Sequence, residues 1–169
     1  KEAIIQYVEM HKPAVLELNI NNLIPRSLVT ASVVSLEART IFDGLEYKKL
    51  DHPIILPMER VGNLIGGSID NSKLFDYGLV VEPEAFVFEP TGCRLHLPYT
   101  ACYALAVANQ AGANMISLIG FDGFSSVQSR QIEMNKIFDL YKKHKLRVPI
   151  VSLSPTSYLL DQRSIFSPK

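Results

Sequence analysis

The chain has 169 residues, 47% of them hydrophobic and 20% charged, enough apolar material for one domain with a packed core and far from a disordered composition. Lys plus Arg and Asp plus Glu each number 17, so the formal net charge is zero and there is no electrostatic footprint for nucleic acid or an anionic membrane. No apolar run approaches the ~20 residues of a membrane span, and no secretory signal is visible.

Two cysteines, Cys93 and Cys102, form neither a metal-spaced pair nor a disulfide framework. Both are expected as core residues in a reducing, cytoplasmic compartment. The chain starts at Lys1, without methionine, and reads at once as a helix. Residues 1–169 are therefore expected to be a single α/β domain excised from a longer protein, with the main activity in the remaining part.

Lys1 to Met10 has Ile4, Ile5 and Val8 on one side and reads as a helix that Pro13 ends. Ala14 to Ile20 is short and apolar, and Leu28 to Val34 is rich in β-branched residues, so both read as strands. Leu36 to Leu50 reads as a helix with Phe42, Leu45 and Leu50 among its apolar positions. Ile54 to Met58 is a third strand, placed near an edge by Pro57. Gly62 to Gly67 and Ser68 to Ser72 read as loop. Tyr77 to Glu82 and Ala85 to Glu89 are apolar runs, strand or extended loop.

Tyr99 to Ala111 is a helix dense in alanine, with Ala101, Ala104, Ala108 and Ala111 near one stripe that allows close packing on a sheet. Gly112 is its natural C-terminal cap. Met115 to Gly120 reads as a strand buried on both faces. Val127 to Lys145 reads as an amphipathic helix with Met134, Ile137, Phe138 and Tyr141 inward, and with Ser125 or Ser126 as its cap. Val148 to Leu153 is a last strand. Strands alternating with helices through short loops define βαβ crossovers. The expected fold is α/β, Rossmann-like and three-layered: a mostly parallel sheet with helices on both faces.

The familiar catalytic signatures are absent: no phosphate loop, no dinucleotide fingerprint, no H-E-x-x-H and no nucleophile elbow. His11, His52, His96 and His144 are scattered singly, so no metal site and no cofactor is expected; His144 reads as a helix-end cation. Glu82, Glu84 and Glu89 look like paired carboxylates at irregular spacing.

What remains is positional. Ligands in open α/β sheets sit outside the carboxyl ends of the strands. Asn19, Asn21 and Asn22 follow the first strand, Ser35, Glu37 and Arg39 the second, Asp122 the strand MISLIG, and Ser154, Thr156 and Ser157 the last. Thr100 stands at a helix start, where free backbone N–H groups favour an anion. The candidate ligand-binding set is Asn19, Asn21, Ser35, Thr100, Asp122 and Thr156. Each has a plainer reading beside it: Asn19 to Asn22 and Ser154 to Ser157 as turns, Asp122 as a loop-ordering residue before Gly123, Arg39 as a solvated helix residue.

Pro98 to Phe124 (PYTACYALAVANQAGANMISLIGFDGF) resembles a motif of the bacterial sialyltransferase-like and motility-accessory-factor-like proteins. It is also similar to the C-terminal domain of HMG-CoA-lyase-like (4-hydroxy-2-oxovalerate) aldolases of surface-polysaccharide clusters. VLELN, ending at Asn19, and SPTSY near the end fit the same pattern. The resemblance implies a sugar or nucleotide sugar as ligand, with Asn19, Thr100 and Asp122 at its site. Ser35-Leu36-Glu37 stands where the sialyltransferase-like family has a second Asn, and no histidine follows the last strand to act as base. The readings that follow are an accessory binding domain covalently linked to an N-terminal catalytic lyase domain, a complete glycosyltransferase, and an interaction or homo-oligomerisation module using Leu79 to Phe88.

Overall fold

The computed structural model describes residues 1–65, 69–125 and 127–166. The first half builds an all-parallel sheet. Helix α1 (Glu2–His11) ends where Lys12 turns left-handed at φ 46°. Strand β1 (Leu16–Leu18) is followed by a 3-10 turn at Arg26–Leu28, β2 (Ala31–Val33), α2 (Glu37–Tyr47), β3 (Ile54–Leu56), α3 (Met58–Ile65), a second 3-10 turn at Asn71–Lys73 and β4 (Leu74–Asp76). The strand order is β1-β2-β3-β4, with Leu18 opposite Val33 and Val33 opposite Ile55.

A small mixed sheet follows. It comprises β5 (Gly78–Val81), β6 (Phe86–Glu89) and β7 (Gly92–Leu95) in the order β5-β7-β6; β5 and β7 are parallel, β6 and β7 antiparallel. Gly78 lies opposite Gly92, and a Cβ added to Gly92 would sit 2.7 Å from the Gly78 carbonyl oxygen. The chain can pair this closely only because neither residue carries a side chain.

The remainder is α4 (Thr100–Gln110), β8 (Ile116–Leu118), α5 (Ser129–Lys143), β9 (Ile150–Ser152) and β10 (Asp161–Gln162). These three strands form a third sheet, all parallel, in the order β10-β9-β8. Gly112, at φ 78°, closes α4 as its sequence predicts.

Two cores cover the two faces of the first sheet. Ile54 and Leu56 of β3 pack with Tyr47 of α2 and with Val61 and Ile65 of α3. Ile55, between them, faces the other core, where Val33, α4, α5 and Leu118 meet. This alternation along one strand is the mark of a sheet between two helical layers, and the fold is the expected Rossmann-like α/β arrangement. Each Ile or Leu buried there contributes about 1.5–3 kcal/mol of transfer free energy.

Several local expectations need correction. β3 lies between β2 and β4 rather than at an edge, because Pro57 falls one residue past the strand and costs no ladder bond. Residues 62–65 are the last turn of α3 rather than loop, since Val61 and Ile65 bury one helical face and outweigh Gly62; Gly66 to Ser68 lie outside the described residues. The cap of α5 is Gln128, with no side-chain bond to the helix; Ser125 contributes only its carbonyl, to the Gln128 N–H, and Ser126 lies outside the described residues. In α2 the buried residues are Thr40 and Tyr47, while Phe42 and Leu45 face solvent. Of Leu79 to Phe88, Leu79, Ala85 and Phe86 belong to the core and Val80 and Val81 are exposed.

Candidate ligand site at the strand ends

Three of the six candidate residues meet where β1, β2 and α4 converge. Asn19 directly follows β1 and sits in the left-handed region, φ 56°, a conformation Asn tolerates better than most side chains. Its N–H bonds the Val33 carbonyl at 3.0 Å, which ties it to the end of β2. Ser35, two residues past β2, is fully buried and donates to the Pro98 carbonyl at 3.0 Å. Ser35 Oγ also lies 3.4 Å from Thr100 Oγ1, and Thr100 donates to Asn19 Oδ1 at 3.2 Å. The result is a chain of neutral groups, Ser35–Thr100–Asn19, that locks the N-terminus of α4 to the carboxyl ends of two strands.

What this leaves for a ligand follows from counting donors. Ser35 and Thr100 are buried and spend their protons inside the cluster. Asn19 is half-buried, accepts through Oδ1, and keeps its amide NH2 as a donor. The N-cap of α4, Tyr99, makes no side-chain bond to the helix, so the first-turn N–H groups of α4 keep their partial positive charge. Tyr99 instead directs its hydroxyl to Glu133 of α5; burial, with Glu133 adding to it, pushes that phenol up to about 12.

Asn21 stands next to this cluster but is spent on local structure. Its N–H bonds Glu17 Oε1 at 3.2 Å, and its Oδ1 accepts from the Leu23 N–H at 3.1 Å, an Asx turn. Arg39 likewise pairs with Asp43 at 2.7 Å and reaches the Ile20 carbonyl at 3.4 Å, rather than being free in solvent.

Asp122 and Thr156 belong to a second group, in the loops after β8 and β9. The Asp122 carbonyl accepts from Ser157 N–H at 2.8 Å, and its own side chain is on an exposed residue. Thr156 Oγ1 accepts from the Tyr158 N–H at 3.2 Å. Gln131 of α5 organises this corner: its Oε1 accepts from Phe124 N–H at 2.8 Å, and Ser157 Oγ lies at 3.4 Å. Gly123 holds φ 93°, and a Cβ there would lie 1.9 Å from Ser157 Oγ, so only glycine lets the two loops close together. Two surface concavities lie elsewhere: one of about 420 Å³ beside Lys1, Gln6 and Phe166, and one of about 440 Å³ beside Tyr141, Arg147 and Leu160.

One polar constellation escapes sequence reading. Glu17 in β1, Ser32 in β2 and His52 just before β3 are all buried. Ser32 Oγ lies 3.1 Å from Glu17 Oε2 and 2.8 Å from His52 Nε2. A carboxylate only accepts, so Ser32 gives its one proton to Glu17, and the imidazole Nε2 supplies the proton of the second bond. Burial holds His52 below its ordinary range, against the pull of Glu17. The buried Tyr47 hydroxyl, pushed upward by burial and by the nearby carboxylates of Asp43 and Glu17, has no hydrogen-bond partner among the described residues. Glu17 register-pairs with Ser32 across neighbouring strands, a juxtaposition that only the folded sheet creates and that the sequence does not signal.

The other titratable groups settle as structure. Glu82 and Glu89 flank Arg94 at 3.3 and 3.5 Å, and Glu84 pairs with Lys136 at 2.5 Å, so these carboxylates form surface ion pairs. His144 stacks on Phe88 with ring centroids 4.3 Å apart, and burial lowers its pKa, so it ends α5 as a neutral ring rather than as the expected cation. Both cysteines are buried as expected; burial raises the Cys93 thiol to about 12 and the Cys102 thiol further. Among the described residues no cluster of metal-ligating side chains is present, and no helix is long and apolar enough to cross a membrane. Comparison with models of protein families, with curated proteins and with solved structures yields no match.

Proposed function

We propose that this chain is a sugar- or nucleotide-sugar-binding domain that performs no chemistry by itself, the accessory domain of an aldolase-like protein of bacterial surface-polysaccharide synthesis. The observation that carries the reading is the Ser35–Thr100–Asn19 chain at the carboxyl ends of β1 and β2. It fixes an amide donor beside the uncapped N-terminus of α4, a pairing that suits a ligand with hydroxyl and anionic groups, such as a phosphorylated sugar. The groups gathered there are amide and hydroxyl, suited to recognition by hydrogen bonds rather than to proton transfer near neutral pH. The resemblance of Pro98 to Phe124 to the C-terminal domain of polysaccharide-cluster aldolases supports the same reading and adds a covalently linked lyase domain as the source of the chemistry.

The test is a thermal-shift series with cytidine, uridine and guanosine nucleotides, their sugar conjugates and free sugars at millimolar concentration. A ligand that binds only the folded state raises the midpoint by mass action, about 2.7 kcal/mol of stabilisation at a hundredfold excess over Kd. A shift with one sugar nucleotide that Asn19→Ala diminishes is the expected result. No shift with any of these compounds overturns the proposal. Asp122→Ala reports separately on whether the β8 loop takes part.

A further inference from the structure

Helix α2 is amphipathic the wrong way round for a monomer. Its inward side is Thr40 and Tyr47, with Gly44 set against the Leu64 carbonyl of α3. Its outward side carries Ile41, Phe42 and Leu45, which are 63%, 85% and 73% exposed. Ala38, Phe42 and Leu45 recur at i, i+4 and i+7, the spacing of a seam between two packed helices, and Lys49, in the turn that follows α2, continues the line. Scattered exposed apolar residues need no explanation, but a continuous stripe of them on one helix does.

We propose that this stripe is the self-complementary interface of a homodimer in which α2 pairs antiparallel with α2 of a second copy. The charges flanking the seam choose both the occupant and the direction. Place a two-fold axis beside Asp43. Phe42 then lies across from Leu45 of the second copy, and Ala38 across from its Lys49. Arg39 faces Glu46 of the second copy. The aliphatic stem of Lys48 covers Ile41. Each charge bordering the seam thus meets an opposite charge or apolar surface, and the symmetry repeats every contact twice. A parallel pairing would leave Arg39 and Glu46 of the two copies two helical turns apart, so that neither meets the other, and the two helix dipoles would be aligned. The local ion pairs Arg39–Asp43 and Glu46–Lys49 hold these side chains at the rim of the stripe.

Sedimentation equilibrium on the purified chain, over a micromolar-to-millimolar concentration series, tests this. The expected result is a reversible monomer–dimer equilibrium. Phe42→Glu and Leu45→Glu should each weaken it roughly tenfold or more by placing unpaired charge in the seam. Because both side chains are exposed in the monomer, the unfolding midpoint of each variant should stay at the wild-type value when measured at concentrations where the wild type is monomeric. Arg39→Glu and Glu46→Arg should each weaken the dimer, and the double variant should restore it, since the two positions face each other only in the antiparallel pair. A chain that stays monomeric throughout assigns the stripe to a different partner and overturns the proposal. A dimer indifferent to Phe42→Glu, or one that the double charge reversal fails to restore, overturns it equally.

Discussion

Two polar clusters on the same parallel sheet differ in a way that separates support from recognition. The Glu17–Ser32–His52 network crosses the middle of the sheet, is buried throughout, and contains the ionisable groups that look like catalytic machinery. The Asn19–Thr100–Ser35 cluster sits at the strand ends and holds only amide and hydroxyl groups, yet it leaves a donor and a helix N-terminus uncommitted. In the first, the polar groups serve one another and join three strands. In the second, they position a surface. Residue type alone would have ranked the two in the opposite order; burial and donor counting rank them this way.

The sharpest way to break this comparison is to delete the hub of the mid-sheet network. Glu17→Ala removes the acceptor of the Ser32 hydroxyl and of the Asn21 N–H, both inside or beside the core. Hydrogen bonds to charged groups and the penalty for stranding their partners put the expected loss at about 3 kcal/mol of folding stability. Urea denaturation checks it. A loss below about 1 kcal/mol, the size of an ordinary surface change, would mean that the network is not structural and would reopen a catalytic reading.

A smaller effect is expected from titrating the same network than from deleting its hub. The folded-state pKa of His52 is depressed by burial, so the unfolded chain binds the proton more readily. Stability is therefore fully present above the unfolded value near 6.5 and is lost as the pH falls through that value towards the folded one. His144 is depressed for the same reason and adds the same sign. Denaturation midpoints measured from pH 8 down to about pH 5 should fall, with the slope reduced in His52→Gln and in His144→Gln and nearly flat in the double variant. A slope untouched by His52→Gln would remove the imidazole from the sheet's electrostatics.

How much of this was legible beforehand follows from the range of the interactions involved. α4, β8 and α5 announce themselves because their signals are local: an alanine-rich helical stretch, a continuous apolar run, and apolar positions Met134, Ile137, Phe138 and Tyr141 at helical spacing. α3 was hidden because Gly62 reads as punctuation while Val61 and Ile65 already show the helical interval. β4 (LFD), β7 (GCRL) and β10 (DQ) carry glycine or charged residues in place of an unbroken apolar run, and exist because neighbouring strands pair with them. The candidate site was partly legible. The rule that places ligands at strand ends selects Asn19 and Ser35, and the helix-start rule selects Thr100, but their meeting depends on β1 and β2 being neighbours beneath α4. Glu17, Ser32 and His52 were invisible as a set because only the sheet register brings them together.

The smallest stability effect should accompany the largest effect on binding, at Asn19. Its left-handed backbone suits glycine, so Asn19→Gly keeps the chain path without strain and gives up only the side chain. The cost is the bond from Thr100 Oγ1, about 1 kcal/mol or less, because the Thr100 hydroxyl keeps Ser35 beside it. Asn19→Ala loses the same bond and adds about 1 kcal/mol of left-handed strain. The two variants therefore differ in stability but are equal in lacking the amide. If the strand-end cluster recognises a ligand through that amide, both should lose the ligand-induced thermal shift to the same degree despite unequal starting midpoints. If Asn19→Gly keeps the full shift and Asn19→Ala does not, the residue matters for the path of the backbone alone, and the distinction drawn between a supporting cluster and a recognising one fails at the residue on which it most depends.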